Sequence, residues 1–199
     1  MTRSTFVLPP GETNFAQSFD QDGKEAILYN FSAPSAASLY TSAADLTRFL
    51  QANVAGPDGA SPGRGVLTPK ELAEMRRPHA YQYGTEVWGL GTILFAPNKA
   101  GGFVVGHDGN NTPAINTSAR VDPATGDGIV VLETGDPRLA SDIAGDWVFW
   151  NTGNPDLFMV LADGQRALPL LLGGWIAILG SAIVISGLVV VRRRGRGSA

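Results

Sequence analysis

The chain of 199 residues contains no cysteine and only two histidines. The absence of cysteine excludes disulfides and a cysteine nucleophile. Two isolated histidines do not make a metal-type cluster, so we expect no metal site and no cofactor. The sequence also lacks Gly-x-Ser-x-Gly, the motif that carries the nucleophile of many hydrolases. Three common kinds of active site are therefore missing at the level of sequence.

The chain has no excess of positive charge either. Its formal net charge is −3, and four of its arginines lie among the last eight residues. The remainder is therefore more acidic than the net charge suggests. A protein that binds nucleic acid usually presents a strongly basic surface. We therefore expect no nucleic acid partner.

Hydrophobic residues make up 44% of the chain, which is enough for one folded domain with an appendage. Three apolar runs with strand character lie close together, at residues 103–105, 115–121 and 129–132. Gly-His-Asp-Gly-Asn-Asn at residues 106–111 follows the first run, and Asp-Pro-Ala-Thr-Gly-Asp-Gly at residues 122–128 follows the second. The latter favours a chain reversal, so the sequence predicts an antiparallel sheet here.

Capping signals predict helices before these strands. Ser42 and Asp45 have the spacing of a helix N-terminus, and Thr68, Pro69 and Glu71 have that of a capping box after which a second helix begins. Together with the strands, these helices predict an α+β fold in which helices flank an antiparallel sheet.

The remaining elements are read from periodicity. Residues 83–95 read as one strand and residues 26–31 as a short one, while residues 139–150 form a helix and residues 151–166 a linker. The helical periodicity predicts one buried face, made of Leu139, Ile143, Trp147 and Trp150.

Residues 167–191 contain no charged residue. At 1.5 Å per residue a helix of that length spans roughly 37 Å, more than the ~30 Å hydrocarbon core of a bilayer. The alternative is a buried core helix, which is rarely so long and apolar on every side. Residues 192–199 form a basic tail that the positive-inside rule places in the cytoplasm. We predict a single-pass cell-membrane protein with an extracytoplasmic main domain.

Four short segments occur in an order that is typical of one protein family. They are Ser-Leu-Tyr-Thr-Ser-Ala-Ala-Asp-Leu at residues 38–46, Trp-Gly-Leu-Gly at 88–91, Gly-His-Asp-Gly at 106–109 and the hairpin at 122–132. In this order they resemble the C-terminal half of the serine β-lactamase-like family. That family holds class C β-lactamases, D-alanyl-D-alanine carboxypeptidases and related esterases. The resemblance covers residues 1–150 and implies part of the β-lactamase/transpeptidase fold.

The resemblance also implies roles for five residues. His107 takes the place of the Lys in the family's Lys-Thr-Gly or His-x-Gly motif, and Gly109 keeps the strand surface open. The backbone N–H of Asn110 becomes one of two oxyanion-hole donors. Asp108 and Asn111 are implied in substrate binding. From the residues alone, the segment also fits a plain loop with an exposed histidine.

The family's nucleophile is absent from the sequence. That nucleophile is the Ser of Ser-x-x-Lys, and no Ser here has Lys three residues later. The nearest approach is Ser61 with Arg64, but a guanidinium stays protonated and cannot act as a base. Tyr40 and Ser42 fit the family's Tyr-x-Ser motif by letter, yet we interpret them as a helix entry. Whether the chain is an enzyme therefore stays open.

Two functions remain. In the first, the chain is the C-terminal portion of a membrane-anchored serine hydrolase, inactive alone, that acts on an ester, a D-Ala-D-Ala peptide or a β-lactam through an acyl-enzyme. Residues 1–6 resemble an internal segment of the family, so we expect a missing N-terminal half. In the second, the chain is a non-catalytic membrane-anchored module or pseudoenzyme that binds cell-wall peptide or a partner.

Overall fold

The sheet contains six strands in chain order, each antiparallel to the next. A computed structural model describes residues 1–27, 31, 33–111 and 115–196. Antiparallel neighbours need only short reversals between them, which suits the turn-rich sequence. The strands are β1 Ala80–Gln82, β2 Thr85–Trp88, β3 Ile93–Pro97, β4 Phe103–Asn111, β5 Ile115–Val121 and β6 Gly128–Thr134.

Five helices accompany the strands in the described part of the chain. The side chain of Ser42 accepts a hydrogen bond from the backbone N–H of Asp45, as predicted. Thr68 and Glu71 form the predicted reciprocal capping box. The helices are α1 Pro34–Ala37, α2 Ala43–Gln51, α3 Pro69–Met75, α4 Leu139–Thr152 and α5 Leu157–Arg196.

Each face of the sheet carries an apolar cluster that a helix covers. Successive strand residues point to opposite faces. One face of β3 therefore packs against α4, and the other packs against α2. The α4 side groups Ile93, Phe95, Ala96 and Val104 with Val148. The α2 side groups Leu94, Val105 and Val121 with Leu50. The α+β fold with helices flanking an antiparallel sheet is confirmed.

The prediction of one strand across residues 83–95 is wrong. β2 ends at Trp88 and β3 begins at Ile93. Between them the backbone passes close to α3: a Cβ on Gly89 would lie 2.0 Å from the carbonyl oxygen of Met75. The backbone also takes a left-handed turn at Gly91, with φ +69°. These glycines end a strand that the apolar pattern alone would continue.

Of the four residues predicted for the buried face of α4, Trp147 packs against the core and the other three do not. The buried residues of this helix are Ala140, Ser141, Ala144, Val148 and Thr152. Leu139, Ile143 and Trp150 are exposed, and Trp150 is 81% exposed. The small side chains let α4 lie close to the sheet. A pattern that weighs only hydrophobicity selects the bulkier face of a helix that is apolar on both sides.

The chain divides into two compact units, Met1–Phe158 and Met159–Ala199. α4 runs to Thr152 and α5 begins at Leu157, so twelve residues of the predicted linker are helical. Within the described residues, Leu157–Leu188 is long and apolar enough to cross a membrane by length and composition, and its apolar window is not buried. The middle of the predicted short strand at residues 26–31, residues 28–30, lies outside the described residues.

Candidate active site

The His-Asp-Gly segment lies on β4 where one neighbouring strand ends. β5 pairs with β4 continuously from Val105 to Asn111. On the other side, β3 pairs with β4 only from Phe103 to Gly106. In the part of the chain that the structure describes, no strand pairs with that side of residues 107–111. The segment therefore forms an open strand edge inside the fold, which we call the β4 edge.

Backbone direction at the β4 edge follows from Gly106. The hydroxyl of Thr92 accepts a hydrogen bond from the N–H of Gly106 and donates one to its carbonyl oxygen, both at 3.0 Å. The two backbone groups of Gly106 thus face the β3 side. Because this direction alternates along an antiparallel strand, Asp108 and Asn110 direct their N–H and C=O groups to the same side. The β4 edge is therefore where the N–H of Asn110 emerges.

His107 is exposed, and its ring has two neighbours. Nδ1 lies 2.6 Å from the backbone oxygen of Asp108. A carbonyl oxygen can only accept, so this contact requires the proton on Nδ1 and leaves the lone pair of a neutral ring on Nε2. The indole of Trp88 lies with its centroid 5.5 Å from that of the imidazole, tilted by 60°. The ring is thus held by one hydrogen bond and one aromatic contact.

The side chain of Asp108 is engaged by the protein. Ser118 donates to one carboxylate oxygen at 2.6 Å, and Arg120 donates to the other at 2.6 Å. Arg120 is fully buried and also binds Asp156 at 2.5 Å. The Arg120 guanidinium lies 3.8 Å from the ring centroid of Phe95. Its charge is therefore compensated on two sides by carboxylates and on a third by a π face.

The two glycines of the segment are close to β5. A Cβ on Gly106 would lie 2.0 Å from the backbone oxygen of Ala119. A Cβ on Gly109 would lie 2.5 Å from the hydroxyl oxygen of Thr117. Both distances are below normal contact, so a side chain at either position would force a neighbour to shift: the backbone of β5 at Gly106, and the Thr117 side chain at Gly109.

The two asparagines that end β4 are held differently. The Asn110 side chain donates to the backbone oxygen of Pro137. Asn111 pairs with Ile115 at the last rung of the β4–β5 ladder. The predicted site residues thus lie on one strand, with the backbone of Asn110 at the open edge and its amide committed to the loop before α4.

The sequence motifs that only partly fit a nucleophile have structural roles. The guanidinium of Arg64 donates to the backbone oxygens of Ser61 and Gln51, at 2.7 and 2.8 Å. Tyr40 forms a β-bridge with Thr5, and Ser42 caps α2, which confirms the interpretation of that segment as a helix entry. Among the described residues, no group of three His, Cys, Asp or Glu side chains is placed to hold a metal ion.

Sequence reasoning missed four residues that support the site: Trp88, Arg120, Asp156 and Phe158. One signal for Arg120 was present. Polar residues occupy positions 116, 118 and 120 of a strand whose ends are apolar. All three lie on one face and are buried. Buried polar residues at a period of two indicate a hydrogen-bonded network with an adjacent element.

Comparison with known proteins identifies the folded region. A family model described as Beta-lactamase matches residues 3–150. This range includes all six strands and nearly all of α4, and it leaves α5 outside. Neither the curated proteins nor the solved structures contain a significant match to the chain.

Proposed function

The chain belongs to the β-lactamase family, and we propose that it carries the His-Asp-Gly side of a membrane-anchored serine hydrolase site. The observation that supports this proposal most is the β4 edge, where the N–H of Asn110, the residue after Gly109, faces the side of the strand that β3 leaves unpaired. An oxyanion donor must be a fixed N–H at an edge that a substrate carbonyl can reach.

The proposed reaction is acyl transfer to water. A serine from a segment outside these 199 residues attacks the substrate carbonyl carbon, and the N–H of Asn110 donates to the oxygen that becomes negative. The leaving alcohol or amine departs with a proton, which gives an acyl-enzyme. Water then attacks the acyl carbon and releases the acid. This chain would be inactive alone, because it holds no Ser-x-x-Lys.

The substrate class follows from His107. A lysine at this position has a fixed positive charge, whereas a neutral imidazole holds an anion less well. The proton on Nδ1 of His107 is directed to the backbone, so the ring offers the substrate an acceptor at Nε2. We therefore favour an ester without an anionic group over a β-lactam or a D-Ala-D-Ala peptide, because each of the latter two carries a carboxylate that must be bound.

The sheet offers a place for the missing segment. β6 pairs with β5 along its whole length from Gly128 to Thr134. Among the described residues, no further strand covers its outer edge. An open edge strand of seven residues readily accepts another strand. We propose that the nucleophile-bearing half of the hydrolase pairs there.

The membrane part of the proposal rests on α5. Leu157–Leu188 has the length and composition of a span. Arginines at 192–194 and 196 lie at the C-terminal end of this helix. Basic residues beside a span favour the cytoplasmic side, so residues 1–156 would be extracytoplasmic.

A second function is favoured by one observation, the absence of any Ser-x-x-Lys. In that case the chain is a non-catalytic, membrane-anchored module that binds a cell-wall peptide at the β4 edge. A peptide can add to such an edge through main-chain hydrogen bonds.

The mass of the native membrane protein separates the two functions. A species well above 20.9 kDa, with peptides that contain Ser-x-x-Lys and precede residue 1, is expected for the hydrolase. A species at 20.9 kDa that starts at Met1 would contradict it and support the binding module.

Two variants of Asn110 test the donor in the native species. Asn110→Pro removes the backbone N–H, and Pro is tolerated where that N–H faces an open edge. Asn110→Ala keeps the N–H and removes the same side-chain bond to Pro137. We expect Asn110→Pro to lower kcat by about 100- to 1,000-fold and Asn110→Ala to have a much smaller effect. Equal losses in the two variants would contradict the donor role.

Membrane topology can be tested cleanly because the chain has no cysteine. Single-cysteine variants at Ser61 and Ser198 would be treated with a membrane-impermeant maleimide on intact cells. We expect labelling of the Ser61→Cys variant alone, and of both variants after permeabilisation. Labelling of the Ser198→Cys variant alone in intact cells would reverse the proposed orientation.

A further inference from the structure

Two chains of contacts join the candidate site to residues 156–158, which we call the α5 root. The first is aromatic. The Trp88 ring lies 5.5 Å from the ring of His107 and 6.2 Å from the ring of Phe158, measured between centroids. Phe158 meets the indole edge-on, at 89°. Trp88 is therefore placed between the candidate site and the start of α5.

The second chain of contacts is ionic. The two terminal nitrogens of Arg120 bind Asp108 at 2.6 Å and Asp156 at 2.5 Å. The side chains of Arg120 and Asp156 are 0% and 3% exposed. A guanidinium is planar, so its two terminal nitrogens keep a fixed separation and direction. Asp156 therefore fixes the guanidinium that in turn holds Asp108.

Both chains of contacts end within three consecutive residues. Asp156 directly precedes α5, and Phe158 is its second residue. At the other end they reach adjacent residues of β4, His107 and Asp108, and these are themselves joined by the hydrogen bond from Nδ1. A displacement of the α5 root would therefore be transmitted to one strand position by two independent contacts.

We propose that Asp156 and Phe158 are positioning residues for the candidate site. Phe158 fixes the orientation of the Trp88 indole, and the indole fixes the orientation of the His107 imidazole. Asp156 fixes the position of Arg120, and Arg120 holds Asp108. The backbone carbonyl of Asp108 then accepts the hydrogen bond from His107. The effect on catalysis rests on the proposed function, but the effect on the position of the His107 ring does not. In this arrangement, the α5 root orients the candidate site.

The position of His107 can be followed directly because the chain has only two histidines. In the full chain, labelled with ¹³C,¹⁵N-histidine and purified in detergent, each imidazole gives its own NMR signals. Trp88 lies close enough to shift the His107 signals by its ring current. His79 is the internal reference, because its ring contacts Glu74. Its link to Trp88 is a backbone hydrogen bond, from the N–H of His79 to the carbonyl oxygen of Trp88 at 2.8 Å, which a change of the Trp88 side chain keeps.

Phe158→Leu removes the aromatic edge but keeps a large apolar side chain, and Phe158→Ala removes both. We expect both variants to move the His107 ring signals and to leave those of His79 in place. Phe149→Ala is the matched control, because Phe149 is an exposed aromatic residue of α4. It is expected to move neither. Unchanged His107 signals in folded Phe158→Leu protein would overturn the aromatic part of the proposal.

A double-mutant test shows whether Trp88 transmits the effect. In a Trp88→Leu background, Phe158→Leu is expected to cause no additional shift of His107, because the intermediate ring is gone. An additional shift of the original size would overturn the role of Trp88. For the ionic contacts, Asp156→Asn is expected to move His107 also in the Trp88→Leu background, and no shift there would overturn that part.

Kinetics separate this inference from the proposed function. In the species that hydrolyses substrate, Phe158→Leu and Asp156→Asn are expected to lower kcat by about tenfold or more, with little change in KM, because the reacting groups are misplaced. Phe149→Ala should retain full activity. If no species hydrolyses any ester or peptide, the proposed function fails while the NMR result still decides the positioning role. If hydrolysis is found and kcat is unchanged in both variants, the catalytic consequence is overturned.

Discussion

The carboxylate of Asp108 lies 2.6 Å from the guanidinium of Arg120, so the middle residue of the His-Asp-Gly motif has its side chain bound inside the protein. The side chain of Asp108 is 13% exposed. The role of Asp108 in substrate binding stays a prediction. In this structure its carboxylate forms an ion pair with Arg120. It carries one of the two negative charges that a buried arginine requires.

Removal of that arginine should be costly. Arg120→Met would leave Asp108 and Asp156 buried without a cation, and loss of one member of a buried ion pair typically costs about 3–5 kcal/mol. Arg77→Met is the control, because Arg77 forms an exposed pair with Glu74 that contributes at most about 1 kcal/mol. Urea unfolding of the full chain measures both. Equal midpoints for the two variants would contradict the assigned role of Arg120.

Removal of all three charges of this network together should restore part of the stability that Arg120→Met loses. Arg120→Met combined with Asp108→Asn and Asp156→Asn leaves no unpaired charge, so we expect it to be more stable than Arg120→Met alone. Urea midpoints compare the two proteins. A triple variant that is less stable than the single one would show that charge compensation is not what Arg120 provides.

The side chain of Thr117 should be the reason why position 109 requires glycine. Gly109→Ala places a methyl group 2.5 Å from the hydroxyl oxygen of Thr117, and we expect a loss of about 1–3 kcal/mol of unfolding free energy. Thr117→Ala in the same chain removes that oxygen and should restore most of it. Thermal unfolding of the two single variants and the double variant measures the coupling.

Alanine variants of two further glycines serve as comparisons for Gly109→Ala. Gly106→Ala meets the backbone oxygen of Ala119 at 2.0 Å, so no side-chain change should rescue it. Gly102→Ala makes only ordinary contacts with Asn98, at 3.6 Å, and should be nearly neutral. A neutral Gly106→Ala variant would contradict the close packing of β4 on β5.

Asp45 should make the protein sensitive to acid. The backbone N–H of Arg3, at 2.7 Å, lowers the pKa of the Asp45 carboxyl well below its ordinary 3.8, and the Ser4 hydroxyl adds to this while burial opposes it. Because the folded pKa is depressed, the unfolded chain binds more protons in acid. The stabilisation is therefore complete above pH 3.8 and is lost as the pH falls below it.

The Asp45→Asn variant tests this pH dependence. The difference in urea midpoint between the natural chain and the variant should be largest near pH 6 and should shrink towards about pH 2.5. A difference that stays constant over this range would mean that ionised Asp45 contributes nothing to the attachment of the N-terminal segment to α2.

Tyr83 should be replaceable with a gain in stability. It joins β1 to β2 in a two-residue turn with Gly84, and both residues have positive φ, +52° and +82°. A left-handed conformation costs a side chain such as Tyr roughly 1–2 kcal/mol, whereas Asn adopts it readily. Tyr83 is also 80% exposed, so little packing is lost. We expect Tyr83→Asn to raise the melting temperature.

Tyr81→Asn is the control for the turn variant. Tyr81 is exposed too, but it lies within β1, where Asn is disfavoured. We expect it to lower the melting temperature slightly. If both tyrosine variants change the melting temperature equally, the turn conformation is not the cause.

Much of the architecture was predictable from local pattern. The capping residues Ser42 and Thr68 identified the starts of α2 and α3 because a cap is an interaction between residues three positions apart. The turn at residues 122–128 predicted the β5–β6 hairpin for the same reason. The β-lactamase family was recognised from four segments whose order the chain itself preserves.

Other features were not visible in the sequence. The break between β2 and β3 depends on the approach of Gly89 to Met75, and the buried face of α4 depends on the small residues that fit the sheet. Both features depend on how closely elements that are distant in sequence approach each other. Hydrophobic periodicity has no information on such distances, so it merged the two strands and selected the bulkier helix face.

The sequence by itself determined the α+β class, the starts of α2 and α3, and the apolar segment at the C-terminal end, because each follows from residues that are neighbours in the chain. Only the tertiary structure decided that β3 begins opposite Gly106 and so leaves the β4 edge open. It also decided that Arg120 joins Asp108 to Asp156, across 12 and 36 residues of sequence. Such pairings form because a buried charge must find a partner in space, whatever its distance along the chain.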